Sequence, residues 1–370
     1  MKKILSLVLL ALLTLGAQAQ TNFRKITYRE GLAAAKAEQK ALFVDFYTSW
    51  CGPCKMMART VFPQKDLGDF MNSHFVCLQI DAEKGEGIEL AKRYQVNAYP
   101  TFVVISADDK ELGRTVGGCT ADEFQVKMEQ IINPEMTPEK IEAKYNAGDR
   151  SADIVKAYAA QVKIAGQQSR DREAEEVAAV RADSIVQAYF AGLDEKARLA
   201  PENLFVYEAY TSDIDQPSAR FMIDKREKFT GDARARIDTT LTKFIESLVM
   251  GYFINYKHPT TEKLAQLKKN MKKLAIGKDG RYDTRLDFAK AYATMSQTDY
   301  IDYCTKNYSR LNKTEQAYLT ESYGSLITTD DKAVKTKAAQ FLRANLATMD
   351  ATQIYFTAMI IGNLEGTMGH

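Results

Sequence analysis

The sequence is poor in the residues from which most small reactive centres are built, with three histidines, five cysteines and one tryptophan in 370 positions. His74, His258 and His370 have no identifiable hydrolase partners, and no glycine-rich loop that would cradle a phosphate accompanies them. Five unevenly spaced cysteines are too few to staple an exported chain of this length, and the odd count leaves at least one thiol unpaired. Net charge is nearly absent: 50 basic against 48 acidic residues leave +2, so no electrostatic case for nucleic acid exists. After residue 15 no apolar run reaches the ~18–20 residues that a membrane-spanning helix needs.

What is present begins with the amino terminus. Lys2 and Lys3, an apolar run from Ile4 to Leu15, and the small residues Ala17 and Ala19 around Gln18 have the form of an export signal. Cleavage is expected after Ala19, and the mature chain is expected to be periplasmic or secreted. Removing residues 1–19 takes away two lysines and no acids, so the formal charge falls from +2 to 0. No cysteine follows the small residues, which argues against a lipid-anchored product; an uncleaved anchor is the alternative.

A length of 370 residues with 45% apolar and 26% charged residues fits two soluble globular domains. Residues 28–39 suggest an amphipathic helix, and Ala41-Leu-Phe-Val-Asp-Phe-Tyr47 a buried strand. A cysteine-bearing helix follows, then strand Phe75–Asp81, helix Gly87–Tyr94, strand Thr101–Ile105, a turn at Asp108-Asp109-Lys110, edge strand Leu112–Val116 and helix Ala121–Ile132. At Asn133-Pro134 the texture changes to helical windows cut by glycines, so the expected boundaries are 1–19, 20–133 and 134–370. Thr137-Pro138-Glu139 reads as a helix start and Gly148 as its stop. Ile154, Val155, Tyr158 and Val162 mark a face ending at Gly166, and Val177, Val180, Ile185 and Tyr189 one ending at Gly192. Two longer faces follow, Ile237, Leu241, Phe244, Leu248, Tyr252 and Leu264, Leu267, Met271, Leu274; a tetratricopeptide-like helical repeat is one arrangement open to this all-α domain.

The chemistry concentrates at Trp50-Cys51-Gly52-Pro53-Cys54-Lys55. Two residues between the cysteines at a helix start bring their sulfurs within bonding distance, so the pair can alternate between dithiol and disulfide. The same cysteines with His74 and Cys77 form a spacing that could pass for structural zinc. Cys77 lies in the interior of a strand, however, and no metal or other cofactor is expected. Cys77, Cys119 and Cys304 read as small buried hydrophobes.

With the preceding strand, the Trp-Cys-Gly-Pro-Cys-Lys stretch and Tyr99-Pro100-Thr101 before the next strand, residues 21 to about 133 resemble a thioredoxin-fold domain: a central mixed sheet flanked by helices. Leu32–Lys40 and Thr60-Val61-Phe62 are similar to the thioredoxin-like domains of periplasmic electron-relay proteins. The resemblance implies a protein-disulfide reductase with a Cys51–Cys54 bridge. Cys51 would be the nucleophile, its thiolate favoured by the helix start, and Cys54, more buried, the resolving thiol. Asp45 matches the family's buried acid, with Cys77 where the family carries a neighbouring lysine. Pro100 matches its cis-proline and Tyr99 the residue offering main-chain groups to substrate, while Trp50 and Gly117 match residues of the active surface. The implied partners are protein disulfides and a membrane reductant as electron donor. The alternative is a partner-binding or chaperone-like protein in which the thioredoxin-like domain is only a docking module for the helical one.

Overall fold

A computed structural model describes residues 20–169 and 171–367; the expected export signal lies outside the described residues. In residues up to Tyr189, one of two compact units, the order is α1 (Tyr28–Glu38), β1 (Ala41–Tyr47), α2 (Gly52–Met56), α3 (Lys65–His74), β2 (Phe75–Asp81), α4 (Gly87–Arg93), β3 (Thr101–Ile105), β4 (Glu111–Val116) and α5 (Ala121–Ile132). The sheet runs β2-β1-β3-β4. β2 pairs in parallel with β1, while β1–β3 and β3–β4 are antiparallel. This is the thioredoxin fold, with helices on both sheet faces.

The apolar run of β1 explains its place in the middle. Leu42 to Phe46 are all buried, as expected for a strand covered on both faces. Because side chains alternate along a strand, Leu42, Val44 and Phe46 pack with Tyr28 and Ala35 of α1 and Leu90 of α4. Phe43 points the other way, to Met57, Val61, Met71, Phe102 and Phe124. α1 and α5 begin with reciprocal caps, Thr27 with Glu30 and Thr120 with Glu123, each satisfying two otherwise unpaired backbone donors.

The cysteine helix is not one helix. Residues Met57–Val61 widen into a π turn, in which the Phe62 N–H donates to the Met57 carbonyl at 3.0 Å, and Pro63 separates this segment from α3. Such a wide turn is uncommon and recurs beside functional sites. The segment just after the expected cleavage point lies along the β2 edge: Phe23 bridges Cys77 in parallel, and the Thr21 N–H donates to the Phe62 carbonyl at 2.9 Å.

After Asn133 every described element is helical. α6 (Pro138–Asn146), α7 (Ala152–Gln168) and the start of α8 (Arg172–Gly192) belong with the first unit. Ile141, Ile154 and Tyr158 share a core with Val126 of α5, and Lys156 pairs with Asp122 at 2.8 Å. The texture change at Asn133 and the division between Tyr189 and Phe190 are therefore different boundaries. In the second unit, α12 (Gly231–Phe253) buries Ile237, Leu241, Phe244, Leu248 and Tyr252, and α13 (Thr261–Leu274) buries Leu264, Leu267, Met271 and Leu274, the faces expected. Between them and α8 come three short helices, α9 (Glu195–Arg198), α10 (Leu204–Ala209) and α11 (Pro217–Asp224). They are followed by α14 (Asp283–Thr294), α15 (Gln297–Asn307), α16 (Lys313–Leu326), α17 (Lys332–Asn345) and α18 (Ala351–Glu365), around a core that includes Phe253, Phe288, Tyr300, Tyr323 and Phe341. No helix among the described residues is long and apolar enough to cross a membrane.

Two expectations for the early helices need correction. Gly166 does not end its helix, which continues to Gln168. It is a close-approach point instead, because a Cβ there would lie 2.4 Å from the Ala178 Cβ of α8. On α8 the buried side is Ala182 and Val186, while Val177 and Val180 are exposed. Gly166→Leu should therefore cost roughly 1–3 kcal/mol in denaturant unfolding, since no side chain fits between α7 and α8. Gly192→Ala, which meets no atom within 4 Å, should change stability by no more than about 0.5 kcal/mol. Equal losses would contradict the close approach.

Candidate active site

β1 delivers the chain to the start of α2, where Cys51 is the N-cap residue and Pro53 takes an early helical position that needs no N–H donor. The sulfurs of Cys51 and Cys54 are joined at 2.04 Å, and the Cys54 N–H points at Cys51 Sγ, 3.1 Å away. An amide aimed at this sulfur from a helix start favours negative charge on it once the bridge opens. The expected difference in burial is absent: Cys51 is 3% exposed and Cys54 7%.

Several of the residues singled out from the sequence are linked to one another by contacts. Trp50 is 65% exposed, with its ring edge-on to Tyr99 at 6.0 Å. Its indole N–H donates to the Glu83 carboxylate at 3.0 and 3.2 Å. The Tyr99–Pro100 peptide is cis, and the Pro100 carbonyl accepts the Gly117 N–H at 2.9 Å. Gly117 has φ +90°, a conformation that disfavours any residue with a Cβ. A Cβ on the neighbouring Gly118 would come within 2.7 Å of Met56 Cε, so this loop lies directly against the cysteine helix. Glu83 could not be singled out from the sequence, because nothing in Ala82-Glu83-Lys84 separates it from an ordinary charged turn.

Asp45 is buried in β1, on the sheet side that also carries Phe43 and therefore faces the π turn that follows the cysteine helix. Its Oδ2 accepts the Gln79 side-chain N–H at 2.9 Å, while Oδ1 is buried without a hydrogen-bond partner. Burial pushes its carboxyl up to about 7, with the Gln79 bond pulling the other way. The position beside Asp45 is therefore filled by Gln79, its register partner on β2, whereas Cys77 sits opposite Phe43. Burial raises the thiols of Cys77 and Cys304 to about 12 and that of Cys119 to about 11. All three free cysteines are buried, as small apolar side chains.

Residues 28–132 match the family model of a thioredoxin-like domain. Thioredoxin-1 of Drosophila melanogaster is 46% identical over 69 residues, 19% of this chain and 60% of that protein. The thiol:disulfide interchange protein DsbD 2 of Pseudomonas aeruginosa is 35% identical over 81 residues, 22% of this chain and 14% of that protein. A solved structure from Bacteroides thetaiotaomicron, described as a candidate disulphide-isomerase, shares 43% identity over 32% of this chain and 98% of its own, with a TM-score of 0.30. The chain spans between 52% and 66% of the length of the thioredoxins it matches.

The acidity of Asp45 has a direct consequence for stability. Its folded pKa lies above the unfolded one, so between pH about 4 and 7 the folded state keeps a proton that the unfolded state has lost. Its contribution to stability therefore falls as pH rises through that window and is level above it. Asp45→Asn removes the buried charge, and at pH 8 the bridged protein should gain roughly 2–4 kcal/mol in denaturant unfolding. At pH 4 the gain should vanish; a gain independent of pH would contradict the assignment.

Proposed function

We propose, for a chain whose residues 28–132 belong to the thioredoxin-like family, that it is an exported thiol-disulfide oxidoreductase reducing protein disulfides through Cys51 and Cys54. The observation that carries this reading is the Cys51–Cys54 bridge at a helix start, with an amide directed at Cys51 Sγ and a buried, proton-holding Asp45 on the same side of the sheet.

In the reduced protein the Cys51 thiolate attacks a client disulfide, forming a Cys51–client bond and releasing the first client sulfur as thiolate. Asp45 then takes the proton of Cys54. The Cys54 sulfur attacks Cys51 Sγ, the Cys51–client bond breaks, and the second client sulfur leaves. Two electrons have moved from the cysteine pair to the client, and the bridge remains. A membrane reductant, supplying two electrons and two protons per turnover, returns the pair to the dithiol.

Trp50, Tyr99, Pro100 and Gly117 are assigned to the client-binding surface, where cis-Pro100 and Gly117 share one hydrogen bond. The Cys-Gly-Pro-Cys spacing and the matched thioredoxins support the reducing direction. The amino-terminal charge and apolar run support export, and the helical residues after Asn133 are assigned to holding the client.

Wild-type protein given a dithiol reductant should reduce insulin disulfides, and Cys51→Ser should abolish this. Equal rates, or no reduction by wild type, would overturn the enzyme assignment. Cys54→Ser should accumulate mixed disulfides with client proteins through Cys51, whereas the Cys51→Ser, Cys54→Ser double variant should give none; equal capture by both would contradict the assigned roles.

A further inference from the structure

Gln79 is the polar exception in the otherwise apolar run Phe75–Ile80. Alternation places it on the same sheet face as Phe75 and Cys77, both in the core beneath the cysteine helix. It is nevertheless exposed, because the amino-terminal segment that covers the β2 edge bridges at Cys77 and goes no further toward Gln79. An open pocket of about 310 Å³ results, lined by Gln79, by Thr21 and Phe23 of that segment, and by Ala58 and Phe62 at the π turn. Thr21 is buried and its hydroxyl has no hydrogen-bond partner. A pocket of this size with polar lining accommodates water.

Gln79 therefore lines the pocket, while its side-chain N–H holds Oδ2 of a carboxyl that is otherwise sealed from solvent. An amide N–H directed at one carboxyl oxygen favours the ionised form and leaves the proton to the other oxygen. We propose that Gln79 is a positioning residue for Asp45: it fixes Oδ2, so that Oδ1 carries the exchanged proton. The proposal rests on the assignment of Asp45 as proton acceptor for Cys54. In that step the Cys54 proton moves to Oδ1 as the Cys54–Cys51 bond forms and the client sulfur departs. It is then lost to water, and the carboxylate is restored.

No other charge competes for this role. β3 carries no ionisable residue. β2 offers the Cys77 thiol and, at its end, Asp81, which is paired with Lys84 at 2.9 Å. The cysteine helix brings the joined Cys51 and Cys54 and an exposed Lys55. From the far side, Cys119 is buried, and Glu123 and Lys127 of α5 act on that thiol. Burial and the Gln79 bond are the influences on the Asp45 carboxyl.

The test is a carbon-13 titration of the Asp45 side-chain carboxyl in the bridged full-length protein, its signal assigned by loss in Asp45→Asn. In Gln79→Leu, a change at an exposed position that should leave the fold intact, the midpoint should rise by roughly one pH unit, the equivalent of losing a hydrogen bond to a charged group. Gln79→Asn, with the same amide on a shorter arm, should fall between. The acid limb of client reduction in Gln79→Leu should move up in pH by the same amount. An unmoved midpoint in folded Gln79→Leu overturns the proposal, even if the reduction rate drops equally at every pH. Because the titration needs no client, a chain that failed to reduce insulin would sink the enzyme assignment while leaving the positioning role to be decided by the midpoint.

Discussion

A carboxyl sealed inside the central strand, held at one oxygen by the side-chain amide of its register partner, is the constraint on which the rest of this unit turns. Asp45 can sit in β1 because the strand is covered on both faces and ends at the helix that carries the cysteines. The burial that raises its pKa, and so weakens it as an acid, also keeps water from competing with it. β1 must pair on both sides to be buried this deeply, which fixes β2 and β3 and, through the loop before β3, the cis Tyr99–Pro100 peptide. The surface around Cys51 and the group behind it are thus two ends of a single strand-to-helix junction.

That junction is bordered by irregular backbone. The π turn at Met57–Val61 and Pro63 interrupt the helix that a regular sequence would continue, and the amino-terminal segment fills part of the gap by bonding to Phe62 and Cys77. What it leaves unfilled is the pocket at Gln79. The pocket beside the amide that holds the buried acid is therefore built from three stretches far apart in sequence, none informative alone.

The three core strands are legible to the residue, since Ala41–Tyr47, Phe75–Asp81 and Thr101–Ile105 are continuous apolar runs with clear punctuation. The Cys51–Cys54 bridge is legible through spacing, and Asp45 stands out as an acid in an apolar strand, its proton-accepting role being proposed. Gln79 was readable in principle, as the polar exception in the run Phe75–Ile80, but its meaning depends on a register that composition does not carry. Resemblance places Cys77 where the family carries a lysine; in the register Cys77 lies opposite Phe43, two residues along the strand from Asp45, and Gln79 is the direct partner of the acid. In the helices, period alone misassigned the exposed Val177 and Val180 and took Gly166 for a stop. A glycine that ends a helix and one that admits a neighbouring helix look alike until the neighbour is placed. α12 and α13 were easier, because their faces repeat over many turns.

The central claim is that Cys51 and Cys54 form a reversible two-electron couple poised to reduce. It is tested most directly by equilibrating the protein across a series of glutathione ratios and following the emission of Trp50, the only tryptophan and the residue next to Cys51. One transition is expected, with a tenfold change in the ratio of dithiol to disulfide for each ~30 mV and a midpoint near the ≈ −270 mV typical of thioredoxins. A signal that never responds, or a midpoint close to the ≈ −120 mV of strong oxidants, would contradict it.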